Sequence, residues 1–279
     1  RLSLVGSEMC IRDSTVGAYT YGDSNWKDLL TAYNGKTITY DEIGNPLTYY
    51  NGTKFTWTMG RRLASATRPG STKVNYTYNA DGLLTSKKKG SIEYYYYWNG
   101  DKLTAQTDNG NTWYFRYDGD TPICLEFDGV EYYYVTNLQG DVIAILNDSG
   151  TCVAEYEYDA WGNCTIIRDT NTIAYINPIR YRGYYYDSDT DLYYLQSRYY
   201  DANTGRFINA DEPTLIGANG GMVSNNLFAY CDNNPVMKSD PTGHIAANVI
   251  GVIIGGIIGA VAVSYTHLRA HETKANLVC

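Results

Sequence analysis

The side chains that could do chemistry in this sequence are few. His244 is the only histidine between residues 15 and 262, so an imidazole-based nucleophile triad has one candidate and no constellation around it. Cys124, Cys152, Cys164 and Cys231 lie in the same span without a CxxC pair, and one histidine does not complete a tetrahedral zinc set. Cys152 and Cys164 could close a disulfide in an exported chain; scattered free thiols are the simpler reading. The glycine-rich run IGANGG (216–221) lacks the strand and helix that a phosphate-binding loop needs, and no Walker motif occurs. Carboxylates remain. Asp240 stands in Asp-Pro-Thr-Gly (240–243), whose composition favours a turn. No cofactor or metal is implied.

The two termini read as something other than evolved protein. EMCIRDS (8–14) and VSYTHL (263–268) can be translated from one DNA segment read in its two orientations, and RLSLVGS pairs with LRAHETKA in the same way. That inverted pair has the form of a sequencing adapter, so residues 1–14 and 263–279 are set aside, as a tag would be. The remaining span carries 18 basic and 27 acidic residues, a balance of −9. An acidic chain without a basic stripe argues against nucleic acid as a partner of this region. The one cationic run, Lys87-Lys88-Lys89 before Gly90, reads as an exposed hairpin tip.

The elements that would position any site are strands. Thirty tyrosines, with Thr, Val and Ile, favour the pleated sheet, and Gly or Asn punctuates the chain every eight to twelve residues. An aromatic–polar–turn unit recurs at Tyr40, Trp57, Tyr78, Trp98, Tyr117, Asn137 and Tyr158, a degenerate period of roughly twenty residues. In most units an Asp or Asn is placed to bond the amides of the turn it opens, and a glycine supplies positive φ. Leu47, Leu83 and Leu103 then start the returning strand. One hairpin is marginal by itself, so neighbours must stack. This predicts hairpins in one curved antiparallel sheet over residues 35–210, with turns at Asp41–Gly44, Asn79–Gly82 and Asp159–Gly162. Tyrosine suits a wall lining a wide cavity, its ring packed and its hydroxyl free to find water or a partner.

These units resemble YD repeats. YYYVTNLQGDVIAI (132–145), YEYDAWGN (156–163), the run from Ile179 to Pro213, and NLFAYCDNNPVMKSDPTGH (226–244) resemble the RHS repeat-associated core domain. The resemblance covers residues 35–244 and is nearer the Gram-positive, wall-associated branch. It implies an all-β chain: tyrosine-rich hairpins forming part of a spiralling hollow shell, with repeats over 15–130 and a core over 131–244. YYDANTGRF (199–207) is then the last strong repeat, with Asp201 and Gly205 shaping its turn and Tyr199, Tyr200 and Phe207 packing the wall. Arg182, Arg198 and Arg206 recur beside aromatics and could stack on them.

The resemblance also implies a chemistry. Many shells of this family cut themselves at a DPxG motif, with aspartates as acid and base. Asp240, Pro241 and Gly243 match that motif, and Asp211 in NADEPTLIG would be the partner. Like charges held close must split roles, one protonated and one ionised. Two departures weigh against it. Glu212 intervenes before Pro213, and His244 stands where cleaving members commonly have leucine. The expectation is a turn and an uncut chain, with Asp211 and Asp240 facing one interior space.

Residues 245–262 (IAANVIGVIIGGIIGAVA) are apolar except for Asn248, with Gly251, Gly255 and Gly259 at every fourth position. This small-xxx-small pattern predicts a short hydrophobic helix before the cargo, near the lower limit of a membrane span and able to contact one during delivery. The resemblance implies two functions, since shells of this family enclose a variable C-terminal domain. The first is the non-catalytic shell of a secreted or surface-exposed bacterial toxin-delivery protein. It would enclose its own C-terminal effector, which is missing here, and could meet the cell wall or secretion machinery. The second is a cell-surface adhesion or carbohydrate-binding module.

Overall fold

Hairpin after hairpin pairs with its neighbour in sequence. The computed structural model describes residues 17–212, 226–244 and 246–248. Among them, fourteen strands from Thr39–Tyr40 to Cys164–Asp169 form one antiparallel sheet in which each strand pairs with those before and after it. All three expected turns are present. The amide of Gly44 donates to the Asp41 carbonyl (3.2 Å), that of Gly82 to Asn79 (3.0 Å) and that of Gly162 to Asp159 (3.1 Å). The opening side chain works as the composition implied: Asp159 Oδ1 accepts from the amides of Trp161 and Asn163, both at 2.9 Å. Gly162 is required twice over, by its φ of 92° and because a Cβ would lie 2.6 Å from the Tyr181 ring.

The twenty-residue period has a mechanical basis beyond the turn. In four successive hairpins the register shifts just before the signature residue, at Thr56/Trp57, Thr77/Tyr78, Tyr97/Trp98 and Arg116/Tyr117, and in the fifth it shifts one residue earlier, at Val135/Thr136. A bulge at one position per repeat adds the same bend each time, and so curves the sheet. The aromatic after the first four bulges reaches back to the preceding unit. Trp57 Nε1 donates to the Pro46 carbonyl (2.7 Å), Tyr78 Oη to Leu63 (2.9 Å), Trp98 Nε1 to Leu84 (2.7 Å) and Tyr117 Oη to Leu103 (3.1 Å). Tyr158 Oη does the same to Val142 at 2.8 Å. Phenylalanine cannot make this bond, which explains why the position holds Tyr or Trp.

The expectation of a single sheet to residue 210 is corrected by a second one. Tyr185–Asp187, Leu192–Leu195, Arg198–Asp201 and Arg206–Phe207 form a separate four-stranded antiparallel sheet packed against the large one. Nearly every residue in it is buried, so its alternation divides aromatics between two cores instead of between core and water. Tyr185, Tyr194 and Tyr199 join the core under the large sheet. Tyr193, Tyr200 and Phe207 join Trp161, Tyr181 and Tyr230 on the other side. The wall tyrosines near this inner sheet therefore do not face a wide cavity. Their hydroxyls bond protein: Tyr76 to Asp187 (2.7 Å), Tyr49 to Asp201 (3.0 Å) and Tyr96 to Tyr185 (3.1 Å). Burial holds these three hydroxyls well above the ordinary phenol range, so they stay protonated donors.

The lysine run is not an exposed tip. Lys87 is buried and bridges Asp187 and Asp189 of the inner sheet's first hairpin, each at 2.9 Å, while Lys89 reaches Asp189 at 2.7 Å. Only Lys88 points outward, toward Glu93. One short helix, Ile173–Ile176, links the two sheets. The position between residues 130 and 131 falls at the start of the strand Val130–Thr136. Most of the segment 245–262 and both termini lie outside the described residues. Of that segment, Ala247–Asn248 is a strand paired with Lys238–Ser239, not helix, because the chain leaving Gly243 runs back along Lys238–Ser239. No helix among the described residues is long and apolar enough to cross a membrane.

Candidate functional site

Asp211 and Asp240 converge, but on an arginine. Asp211 comes four residues after the strand Arg206–Phe207, its amide donating to the Leu227 carbonyl at 3.0 Å. Asp240 directly follows the strand Lys238–Ser239, its amide donating to Tyr184 Oη at 2.9 Å. Between them lies Arg198, from the buried strand Arg198–Asp201. Its Nη2 is 2.9 Å from Asp211 Oδ2 and 3.7 Å from Asp240 Oδ2. All three side chains are buried. The expectation of one shared interior space thus describes their placement.

The guanidinium is fully occupied. Nη1 donates to the Leu227 carbonyl at 2.8 Å, Nε donates to the Gly243 carbonyl, and the plane lies 3.5 Å above the Phe207 ring centroid. Stacking on aromatics was the expected role of Arg182, Arg198 and Arg206. Arg182 lies over Tyr181 and Arg206 over Tyr21 in the same way. Stripping water from Arg198 lowers its pKa and Asp211 and Asp240 offset part of that, for a net value of about 10. It remains a cation at neutral pH.

Asp240 makes the turn its composition implied. Oδ1 accepts from the amides of Gly243 (2.9 Å) and His244 (3.0 Å). Burial pushes its carboxyl upward, and Arg198 draws it part of the way back. His244, read from the sequence as a departure, has a partner: its Nδ1 lies 2.8 Å from Asp211 Oδ1, which also accepts from the Glu212 amide at 2.8 Å. Gly243 fits because a Cβ would lie 2.6 Å from the Leu195 carbonyl oxygen, at φ 76°. Ser197 Oγ completes the clasp by donating to the Thr242 carbonyl at 2.6 Å.

The peptide beyond Gly243 is therefore held at both ends, its carbonyl by Arg198 and its N–H by Asp240. That arrangement could polarise the bond, and a carboxyl with a raised pKa can carry a proton. The other half of the chemistry is poorly served. Both oxygens of Asp211 are already engaged, Oδ1 with His244 and the Glu212 amide and Oδ2 with Arg198. The geometry is that of a clamp. Sequence reasoning missed Arg198 as its centre. The available signal was a charge inside the buried aromatic run Arg198-Tyr-Tyr-Asp201, which needs a partner when buried. Among the described residues no cluster of His, Cys, Asp and Glu could hold a metal ion.

Residues 111–236 match the Teneurin YD-shell family. The chain is 37% identical over 227 residues to the tRNA3(Ser)-specific nuclease WapA of Bacillus spizizenii, covering 79% of this chain and 10% of that protein. It is 33% identical over 121 residues to the double-stranded DNA deaminase toxin A of Burkholderia cenocepacia, covering 43% of this chain and 8% of the toxin. It thus spans about a tenth of the length of these curated relatives. Two solved structures share the fold. The TcdB2-TccC3-Cdc42 crystal structure superposes with a TM-score of 0.60 at 20% identity, over 81% of this chain and 13% of the other. TcdB2-TccC3 without its hypervariable C-terminal region gives 0.57 at 21% identity, over 81% and 13%.

Proposed function

The chain belongs to the RHS/YD-repeat shell proteins, and we propose that it is the non-catalytic closing part of a shell that encloses its own C-terminal effector. One observation carries this reading. Relatives named for unlike chemistries, a tRNA nuclease and a DNA deaminase toxin, match this chain over 79% and 43% of its length, so part of it is common to both. A stretch common to both is the container rather than the chemistry. The neighbour whose hypervariable C-terminal region was removed keeps the fold, which is the behaviour expected of a wall independent of its contents.

In this reading residues 15–130 supply repeat wall, residues 131–244 the core, and residues 245–262 the passage toward the effector, with membrane contact during delivery as their role. The protein is secreted or held at the bacterial surface. Residues 1–14 and 263–279 are adapter translation and contribute nothing. Asp211 and Asp240 hold the chain where it leaves the core and do not cut it. Reading the uninterrupted gene beyond residue 262 tests the proposal: an unrelated effector-sized domain followed by a small protective gene is expected. A wall anchor or an immediate stop codon would favour the adhesion module.

A further inference from the structure

An asparagine followed by glycine can react with its own backbone, because glycine has no Cβ to hold its amide nitrogen away from the asparagine Cγ. The pair occurs among the described residues at 34–35, 51–52, 99–100 and 109–110, each time where one strand turns into the next. A fifth, at 219–220, lies outside them. Ring closure needs two freedoms. The carboxamide must swing over the following amide, and that N–H must release its proton to water instead of holding it in a hydrogen bond.

Three of the four pairs lack one freedom or both. Asn34 Oδ1 accepts from the Ala18 amide at 2.8 Å. Asn51 Oδ1 accepts from the Thr53 amide at 3.0 Å, and the Gly52 amide donates to the Tyr49 carbonyl at 2.9 Å. Asn109 Nδ2 donates to the Ser91 carbonyl at 2.9 Å, and the Gly110 amide donates to Asp108 Oδ1 at 3.0 Å. Asn99 differs from all three. Among the described residues its carboxamide has no hydrogen-bond partner and the Gly100 amide has no acceptor. Both residues are exposed, and no atom lies within 4 Å of where a Gly100 Cβ would stand.

This pair sits where the wall meets the inner sheet. Asn99 pairs with Lys102, so Gly100 and Asp101 form the hairpin tip. Gln196 Nε2 donates to the Asp101 carbonyl at 3.0 Å. Next to Gln196 stand Ser197, whose hydroxyl clasps the Thr242 carbonyl, and Arg198, the centre of the exit clamp. We infer that Asn99–Gly100 is a self-modifying site that ages to aspartate and isoaspartate, and that its conversion loosens the wall from the inner sheet at residues 195–197. Gly100 N bonds to Asn99 Cγ, the Cγ–Nδ2 bond breaks, and ammonia leaves with the amide proton. Water then opens the succinimide at either carbonyl. One opening gives aspartate; the other gives isoaspartate, whose backbone runs through the side-chain methylene. The added backbone atom displaces the Asp101 carbonyl from Gln196. Either product also puts a new carboxylate beside Asp101 and Asp120, which already share Lys102. The chemistry is independent of what the shell encloses.

The test is timed peptide mapping of the 279-residue chain in mildly alkaline buffer, folded and in urea. Trypsin puts the four pairs on four peptides, 28–36, 37–54, 90–102 and 103–116. In the folded chain the 90–102 peptide should gain the aspartyl mass first. Each hydrogen bond that must break is worth roughly fivefold in rate, so Asn34 should lag about fivefold and Asn51 and Asn109 about twenty-five-fold. In urea the four rates should converge. An isoaspartyl methyltransferase with labelled S-adenosylmethionine should mark the same peptide, and hydrogen exchange at 195–197 should quicken as the label rises. Asn99→Gln, whose larger ring closes slowly, should abolish both changes and leave circular dichroism as it was. Asn99 reacting no faster than Asn51 or Asn109 in the folded chain would overturn the inference, as would an unchanged spread of rates in urea. Unaltered exchange at 195–197 in fully converted protein would overturn the loosening.

Discussion

The outer wall and the inner sheet are written in the same alphabet and use it differently. Both alternate tyrosine with small or polar residues, yet the wall buries one face and the inner sheet two. In the wall, polar aromatic tips bond carbonyls of the preceding repeat, so cohesion is local and is renewed every twenty residues. In the inner sheet, hydroxyls and charges meet partners 100 to 152 positions away: Tyr76 and Lys87 at Asp187, and Tyr49 at Asp201. The wall is therefore a sum of repeated local bonds. The inner sheet depends on a few long-range ones, and its failure should be abrupt.

The largest effect should come from breaking the long-range set. Lys87→Met leaves Asp187 and Asp189 short of their buried cation, and removing one partner of a buried pair costs about 3–5 kcal/mol. Urea denaturation should show that loss, and Lys87→Met combined with Asp187→Leu should recover part of it. A Lys87→Met variant as stable as wild type would mean the two sheets are held by aromatic packing and the tyrosine hydroxyl bonds without the buried lysine.

Asp240 should come next, through pH. Its folded pKa lies above the ordinary 3.8 because of burial, so it binds its proton more readily folded than unfolded. Its contribution is thus fully present below pH 3.8 and is lost as pH rises through the elevated folded value. Asp240→Asn should flatten that part of the stability–pH curve, and intact-mass measurement should find both forms uncut. Fragments split beyond Gly243 in the wild type alone would make the clamp a cleavage site.

A single repeat staple is smaller. Tyr117→Phe removes one hydrogen bond to the Leu103 carbonyl and should cost about 1 kcal/mol. Tyr78→Phe should cost somewhat more, since its hydroxyl meets Tyr199 Oη (3.3 Å) as well as the Leu63 carbonyl. Smallest of all, Arg116→Ala breaks two exposed ion pairs and should leave the melting temperature within error.

The same division explains what could be read in advance. The hairpins, their period and the three turns were legible because each is set by residues within five positions, as Asp159, Gly162 and Asn163 are. Lys87 was misread because its burial is decided by Asp187 and Asp189, a hundred residues on. The pairing of Asp211 with Asp240 was suggested by resemblance, while Arg198 between them and His244 against Asp211 were not. Nothing local marks Arg198 as the hub, and His244 looked only like a missing leucine. The inner sheet was merged with the wall because both show period-2 tyrosine, and a pattern cannot say whether its second face meets water or another core.

Enclosure is most directly tested by limited proteolysis of the full-length protein beside its C-terminal region expressed alone. The account predicts that the region beyond residue 262 resists protease in the intact protein and is digested when freed, and that Lys87→Met renders it sensitive while still covalently attached. Equal digestion of that region in the intact and freed forms would contradict the shell.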